Sequence, residues 1–398
     1  MQIIKQSNNK TKQNNLPNMS QIYLMSSSQV KISSIKNLKL IDDDNLIPVE
    51  LVIDPTVIPS QPVGINGGLG CAIKRIELFK QLTGLSDSKY KNFNPMHDVI
   101  ISIENFIVEE TRKDVCCVVI ELNNITTFGY SSDDVNPTYP EKYADELGNI
   151  MGPLYYEYNN TQMEIKGYAT TMGKIINKHN QDIQHDNWSQ QYGGMCRMMQ
   201  IKSAYDQIDK TEFIKNFIRI VPNHPSPNIM FSDLTPLFAN VITKNMLYQI
   251  IYSKISEKIT NCKIDYVVGL DARGFINGSV IAEKLNTGFV TMRKSGKLGG
   301  TDCYSANYGK EYGKDSFEIV STIMKPNKNI LIVDDVIATG GTFIGAKTLC
   351  EKFQTNQTNQ TNQTDQKIFA LAICEIKELK ELAKEKMGNF YDDVIVCI

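Results

Sequence analysis

The sequence is short of the features that mark several large classes of protein. No run of apolar residues is long enough to span a membrane. The amino-terminal MQIIKQSNNKTKQNNLPNMS is polar and Asn/Gln-rich, without the apolar core of a signal peptide. Lys and Arg number 42 against 44 Asp and Glu, so the net charge is −2 and there is no basic excess of the kind that binds nucleic acid. Nine cysteines are scattered with no CxxC and no Cys–His spacing of a zinc site. Cys116 and Cys117 are neighbours on one predicted strand and are badly placed to pair with each other. These absences predict a cytoplasmic chain with reduced thiols, no structural zinc, and no membrane or nucleic-acid partner. There is one Trp, Trp188, which lies with His185 in the polar stretch QHDNWSQQYGG. A lone His in such a stretch is more often a hydrogen-bonded structural residue than a ligand, and neither residue is assigned a role.

What is present fills two domains. At 398 residues the chain is long enough for two separate cores. Residues 1–20 read as a disordered tail, 21–207 as one α/β domain and 208–398 as a second. A Thr-Asn-Gln repeat over 354–366 reads as a low-complexity insertion in a surface loop, where added length costs little closure entropy.

The most informative stretch is Ile330 to Leu349, ILIVDDVIATGGTFIGAKTL. Ile330 to Val333 predict a buried parallel strand. Asp334 and Asp335 follow, then the small-residue turn Ala338, Thr339, Gly340, Gly341 and Thr342, then helical periodicity from Phe343 to Phe353. Strand, acid pair, glycine turn and helix put free backbone N–H groups and a positive helix end at the carboxyl edge of a sheet, a place suited to a phosphate monoester. The two carboxylates stand where they accept hydrogen bonds from sugar hydroxyls. Any one of these features alone is a cap or a turn; the sequence of all four is specific. It resembles the phosphoribosyl-pyrophosphate (PRPP) signature of the type I phosphoribosyltransferases.

From about Phe213 onward the resemblance narrows to the adenine phosphoribosyltransferase family. That family reads FP.FP.PGV.FRDI.P where this chain has VPNHPSPNIMFSDLTP. The resemblance implies that Phe231 stacks on the purine and that the backbone of Met230 reads the base edge, while Ser232 replaces a family arginine. Tyr266 to Phe275, YVVGLDARGF, matches GLDSRGF. It implies a pyrophosphate-binding turn at Asp271, Ala272 and Arg273, a cis peptide between the first two, and Arg273 near the base. RKSGKLGG matches RK.GKLPG and implies that Arg293, Lys294 and Lys297 neutralise the leaving pyrophosphate. Tyr304 to Lys314 resembles the family's catalytic loop, with Tyr308, Glu311 and Tyr312 at matching spacing and Glu311 assisting proton transfer at the purine. The implied reaction joins adenine and PRPP to give AMP and pyrophosphate, with Mg²⁺ carried mostly by PRPP, in a homodimer.

The first domain more remotely resembles the inosine/xanthosine triphosphate pyrophosphatase (ITPase) family. The matching pieces are MSSSQVK (25–31), VIPSQPVG (57–64), GCAIKR (70–75) and SIENFI (102–107), with Arg197 the candidate for a late family arginine. The resemblance implies that Lys31 and Arg75 neutralise a triphosphate and that Glu104 holds Mg²⁺. Asn105 and Phe106 replace two family glycines, which is expected to obstruct close approach of a substrate to the backbone. The fold expected is therefore α/β throughout: an ITPase-like domain, then a type I phosphoribosyltransferase domain built on a parallel sheet flanked by helices. Two alternatives to salvage alone remain open: a bifunctional enzyme that also hydrolyses ITP or XTP, and a non-catalytic nucleotide or PRPP sensor.

Overall fold

The computed structural model describes residues 20–398 except 41–42, 159–160, 193, 225, 300–302, 310–313, 359–365 and 389–392. Two compact units emerge: residues 1–216 with 240–242, and residues 217–239 with 243–398.

The first unit is organised on a sheet of five strands in the order Leu46–Pro48, Ile22–Leu24, Val99–Val108, Lys113–Leu122 and Ile125–Tyr130. The first three are parallel and the last two continue as antiparallel hairpins. Successive side chains of a strand face opposite ways. Tyr23, Ile100, Phe106, Cys117 and Val119 accordingly pack with Leu69, Ile73, Ile76 and Phe79 of the helix Gly64–Thr83. The helix begins at Gly64, so Arg75 lies in its interior and not at its start. The glycines that lower helix propensity in this segment are there for contact: a Cβ on Gly68 would sit 2.1 Å from the Phe106 ring. The strand runs on to Val108, paired with Lys113, so Glu104 is inside it and not at its end. A second sheet, Gln61–Pro62, Thr161–Tyr168 and Met151–Tyr158, was not anticipated from the sequence. Trp188 is buried with Tyr139, Met172, Ile175 and Ile176, so it is a core residue.

The second unit has a seven-stranded sheet in the order Cys303–Gly309, Lys314–Val320, Gly288–Lys294, Tyr266–Leu270, Ile330–Ile337, Ile368–Glu375 and Asp393–Val396. The last five of these are parallel, and the hairpin of the first two joins Gly288–Lys294 in antiparallel fashion. A separate antiparallel pair, Arg219–Pro222 with Met230–Asp233, forms a small hood. Two boundaries differ from expectation. The strand from Ile330 continues to Ile337, because Val336 and Ile337 stay in register with Cys374 and Glu375, and the helix already starts at Gly341. The sheet order reverses between Tyr266–Leu270 and Ile330–Ile337. Each of these strands is followed by a turn and a helix, so their carboxyl ends flank a topological switch point, where open α/β sheets bind ligands.

Candidate active site

The first wall of the crevice is the end of Ile330–Ile337. Ala338, Thr339 and Gly340 turn the chain, with Gly340 at φ +79°, into the helix Gly341–Thr358. The N–H groups of Gly341, Thr342 and Phe343 fall in the first turn, where a helix has no internal acceptors to offer them. Asp335 is 3% exposed and Asp334 is half-buried. Asp334 Oδ1 accepts a hydrogen bond from the Asp335 N–H at 2.9 Å. Burial, and then the neighbouring Asp335, push the Asp334 carboxyl up to about 8. Burial also raises Asp335, and the Arg273 guanidinium opposes that rise.

The second wall is the turn after Tyr266–Leu270. The Asp271–Ala272 peptide is cis, as the resemblance implies. Asp271 Oδ2 accepts from Arg293 Nε at 3.0 Å and lies 3.5 Å from the Lys294 N–H, which ties this turn to the end of the next strand. The helix Gly274–Leu285 starts in contact with the first wall: a Cβ on Gly274 would lie 2.4 Å from the Val333 carbonyl oxygen and 3.3 Å from Asp334 Cα. Only glycine lets the two walls approach this closely.

The basic loop after Gly288–Lys294 is fastened by a residue the sequence reading did not single out. Glu318 accepts from the Gly296 N–H at 2.8 Å and the Leu298 N–H at 3.5 Å. The Gly296 N–H is the largest cause of its lowered pKa. Ser295 N–H donates to the Ser316 carbonyl at 2.9 Å, and the two hydroxyls also bond to each other. Lys294 and Lys297 are exposed.

Over these ends lies the hood. Arg219 and Thr235 both bond to Asp233 and hold the hood strand Met230–Asp233 in place. Met230 is 42% exposed. The Arg273 guanidinium lies 5.2 Å from the Phe231 ring centroid, and its Nε is 2.6 Å from Asp335 Oδ2. His224 meets the same ring edge-on at 5.1 Å. Ser232 contacts the buried Cys374 thiol, which burial pushes up to about 12. His224 and Cys374 were missed because one lies in an irregular loop and the other reads as a plain core residue of a strand. Glu311 and Tyr312 lie outside the described residues.

In the first unit, Lys31, Arg75, Glu104 and Arg197 are brought to one region of the sheet. Arg75 is ion-paired with the buried Glu104. Arg197 is ion-paired with Asp114 at 3.0 Å and also bonds Gln200. Lys31 Nζ donates to the Ile103 carbonyl at 2.5 Å. Burial first, and then the Arg75 guanidinium, push Lys31 down to about 7, with Arg197 adding to the fall. Phe106, expected to obstruct this region, instead turns its ring into the core against Gly68.

Comparison with known proteins gives the geometry its relatives. The sequence profile of the Phosphoribosyl transferase domain matches residues 242–356. Adenine phosphoribosyltransferase of Burkholderia thailandensis is 41% identical over 154 residues, 39% of this chain and 79% of that one. Adenine phosphoribosyltransferase 1 of Saccharomyces cerevisiae is 44% identical over 135 residues, 34% of this chain and 72% of its own length. A crystal structure of the Saccharomyces cerevisiae enzyme, in complex with an imino-altritol bisphosphate and adenine, is 33% identical and covers 48% of this chain and 98% of that one, at a TM-score of 0.41. Identity at this level over most of a relative's length, on a chain that keeps the acid pair, the glycine turn and the basic loop, is common descent, and the chain belongs to the adenine phosphoribosyltransferase family.

Proposed function

We propose that the second unit transfers ribose 5-phosphate from PRPP to adenine, forming AMP and releasing pyrophosphate. The observation that carries this reading is the meeting, at one switch point, of an acid pair above a helix start with a second turn, a basic loop and an aromatic hood. The bond that breaks joins the anomeric carbon to pyrophosphate, and a purine nitrogen takes its place. The turn Ala338 to Thr342 receives the 5′-phosphate on backbone N–H groups. Asp334 and Asp335 supply the acceptors for the ribose hydroxyls. Backbone at Asp271, Ala272 and Arg273, with Lys294 and Lys297, takes the charge that develops on the leaving group. Arg293 contributes by fixing Asp271. Phe231 and the Met230 backbone seat the base, and Glu311 assists its proton transfer.

Among the described residues no group of three or more His, Cys, Asp or Glu is gathered to hold a metal ion. That fits Mg²⁺, which keeps most of its water and phosphate ligands and takes few from protein. Asp334 and Asp335 are the acids of this edge that would meet it, and its charge offsets that of the diphosphate. We infer a cytoplasmic setting, in which the cysteine thiols stay reduced. We infer a homodimer through the second unit, to be checked by sedimentation. AMP formation from PRPP and Mg²⁺, with adenine, hypoxanthine, guanine and xanthine offered in parallel, tests the main reading. Turnover of adenine alone is expected; no turnover with any base overturns it.

A second reading concerns the first unit. The gathering of Lys31, Arg75 and Arg197 favours a site for a polyphosphate, and we infer an ITPase-like domain that acts on ITP or XTP in a bifunctional chain. Its Glu104 is the acid offered to Mg²⁺, in exchange for Arg75. Hydrolysis of ITP or XTP that persists undiminished in Glu104→Ala sinks this assignment.

A further inference from the structure

The turn proposed for the 5′-phosphate is packed as well as hydrogen-bonded. Gly340 stands at φ +79°, a conformation that glycine adopts readily and other residues do not. The space beside it is filled by the helix Lys380–Met387. A Cβ on Gly340 would lie 2.6 Å from Met387 Cγ, 2.9 Å from its Sδ and 3.5 Å from the Ala383 carbonyl oxygen. Met387 and Ala383 are each 3% exposed and belong to the same core cluster as Phe343 and Ala346 of the helix that the turn opens. The helix Lys380–Met387 is also tied to the strand that enters the turn. The Ile376 N–H donates to the Ile337 carbonyl at 2.9 Å, Ile337 is in register with Glu375, and Lys380 is ion-paired with Glu375 at 2.5 Å. Glycine has more backbone freedom than any other residue, so a turn that hinges on Gly340 keeps its shape only where its surroundings hold it. On the side of the missing side chain, the atoms nearest to it belong to Met387 and Ala383.

We propose that Met387 is a positioning residue for the 5′-phosphate: its thioether fills the hollow at Gly340 and so fixes the direction of the N–H groups that open the helix Gly341–Thr358. It acts through the backbone and not on the substrate itself. The Gly340 carbonyl accepts from the Ile344 N–H at 3.1 Å, so a shift of Gly340 passes directly to the first turn of that helix. An anion held by successive backbone N–H groups needs them to converge, and here a side chain of the core sets the convergence. This inference rests on the phosphoribosyl-transfer reading of the site. A wild-type chain that makes no AMP marks failure of that reading. Binding of ribose 5-phosphate needs no turnover and tests the present inference separately.

The test uses steady-state kinetics and titration calorimetry on the full chain, with Met387→Ala, Met387→Leu and, as a control, Met324→Ala. Met324 is a methionine of the same core cluster with the same 3% exposure, but it precedes Ile330–Ile337 and so lies at the end of that strand away from the turn. Met387→Ala opens a void beside Gly340. It is expected to raise KM for PRPP and Kd for ribose 5-phosphate about tenfold, with KM for adenine and Kd for pyrophosphate moved less than about threefold. Leucine conserves the volume, so Met387→Leu should stay within about threefold of wild type throughout. Met324→Ala should lower the melting temperature as Met387→Ala does, yet leave all four constants within about threefold of wild type. A Met387→Ala chain that binds ribose 5-phosphate as wild type does overturns the proposal. So does a Met324→Ala chain with the same loss, or a pyrophosphate affinity that falls in step. Should Met387→Ala not fold, Met387→Val leaves a smaller void and is read in the same way.

Discussion

The two strand–turn–helix walls of the second unit approach closely at Gly274, and this approach offers a sharp perturbation. In Gly274→Ala a Cβ would be placed 2.4 Å from the Val333 carbonyl oxygen. A comfortable C···O contact is about 3.3 Å, so the helix Gly274–Leu285 must retreat by roughly 0.9 Å. It has little freedom to do so, since Gly278 of the same helix lies against Phe289 of the strand Gly288–Lys294. Overpacking of this kind costs about 1–3 kcal/mol of stability. The functional cost is separate. The displaced segment carries Asp271 to Arg273, which the proposed mechanism places on pyrophosphate, and a misplacement near 1 Å lowers rate by about a hundredfold. We therefore expect kcat/KM for PRPP to fall about 10–100-fold, with the adenine dependence moved less. The assay pairs AMP formation with a urea melt. A variant that loses stability but keeps kcat/KM for PRPP within about threefold of wild type would show that the spacing of the walls is structural only, and would refute the reasoning.

Three further outcomes follow from the titrating groups and from the loop clamp. The folded Asp334 carboxyl stands at about 8, above its unfolded value of 3.8, so its contribution to stability is fully present below pH 4 and is lost as pH rises through 8. Asp334→Asn should hence gain melting temperature over wild type at pH 8.5 and not at pH 4; a pH-independent difference contradicts the assignment. Lys31 is lowered from 10.5 to about 7, so a destabilising burden is fully present below pH 7 and disappears as pH approaches 10.5. Lys31→Met should raise stability at pH 6 by an amount on the order of a few kcal/mol, reduced by the partial solvent contact of the side chain, and by nothing near pH 10.5. Finally, Glu318→Ala frees the Gly296 and Leu298 N–H groups, so KM for PRPP should rise about 3–10-fold with thermal stability little changed; an unaltered KM removes Glu318 from the site.

The core of the second unit was legible because its signals are local. An apolar run, two acids, glycines and a periodic helix lie within twenty consecutive residues, and the fold places them consecutively on one strand, turn and helix. The ends of those elements were less legible. Val336 and Ile337 extend the strand only because Cys374 and Glu375 lie beside them, a fact of pairing and not of propensity. Glu318 was illegible for the same reason. It clamps the basic loop because Arg293 stands opposite it in the antiparallel register, and the register between two strands cannot be read from either strand alone. In the first unit the hairpin of Val99–Val108 and Lys113–Leu122 showed clearly as two apolar runs. Met151–Tyr158 and Thr161–Tyr168 did not, since GPLYYEY and TQMEIKGY mix aromatics and charges without clean alternation. Phe106 was misjudged because its partner is Gly68: the ring fills the space that a side chain on the helix leaves open, and the two positions compensate across 38 residues of sequence.

The deeper limit concerns charge. Reading the sequence picks out cations and acids as ligands for substrate, but most of those named are already partnered across the fold. Arg293 holds Asp271, Arg273 holds Asp335, Arg75 holds Glu104 and Arg197 holds Asp114. The physical cause is general. A charge drawn out of water is tolerated where an opposite charge accompanies it, so a fold that gathers cations for an anionic ligand must gather carboxylates with them. The partner is distant in sequence and leaves no mark beside the cation. This has a consequence for binding. A phosphate entering either unit meets guanidiniums whose charge is shared, and each contact it makes is offset by what the carboxylate gives up. Lys294 and Lys297, exposed on a loop that Glu318 holds by its backbone, are of another kind. Among the described residues they form no ion pair, so in the proposed mechanism the leaving-group charge falls more heavily on these two lysines than on the arginines that the motif makes conspicuous.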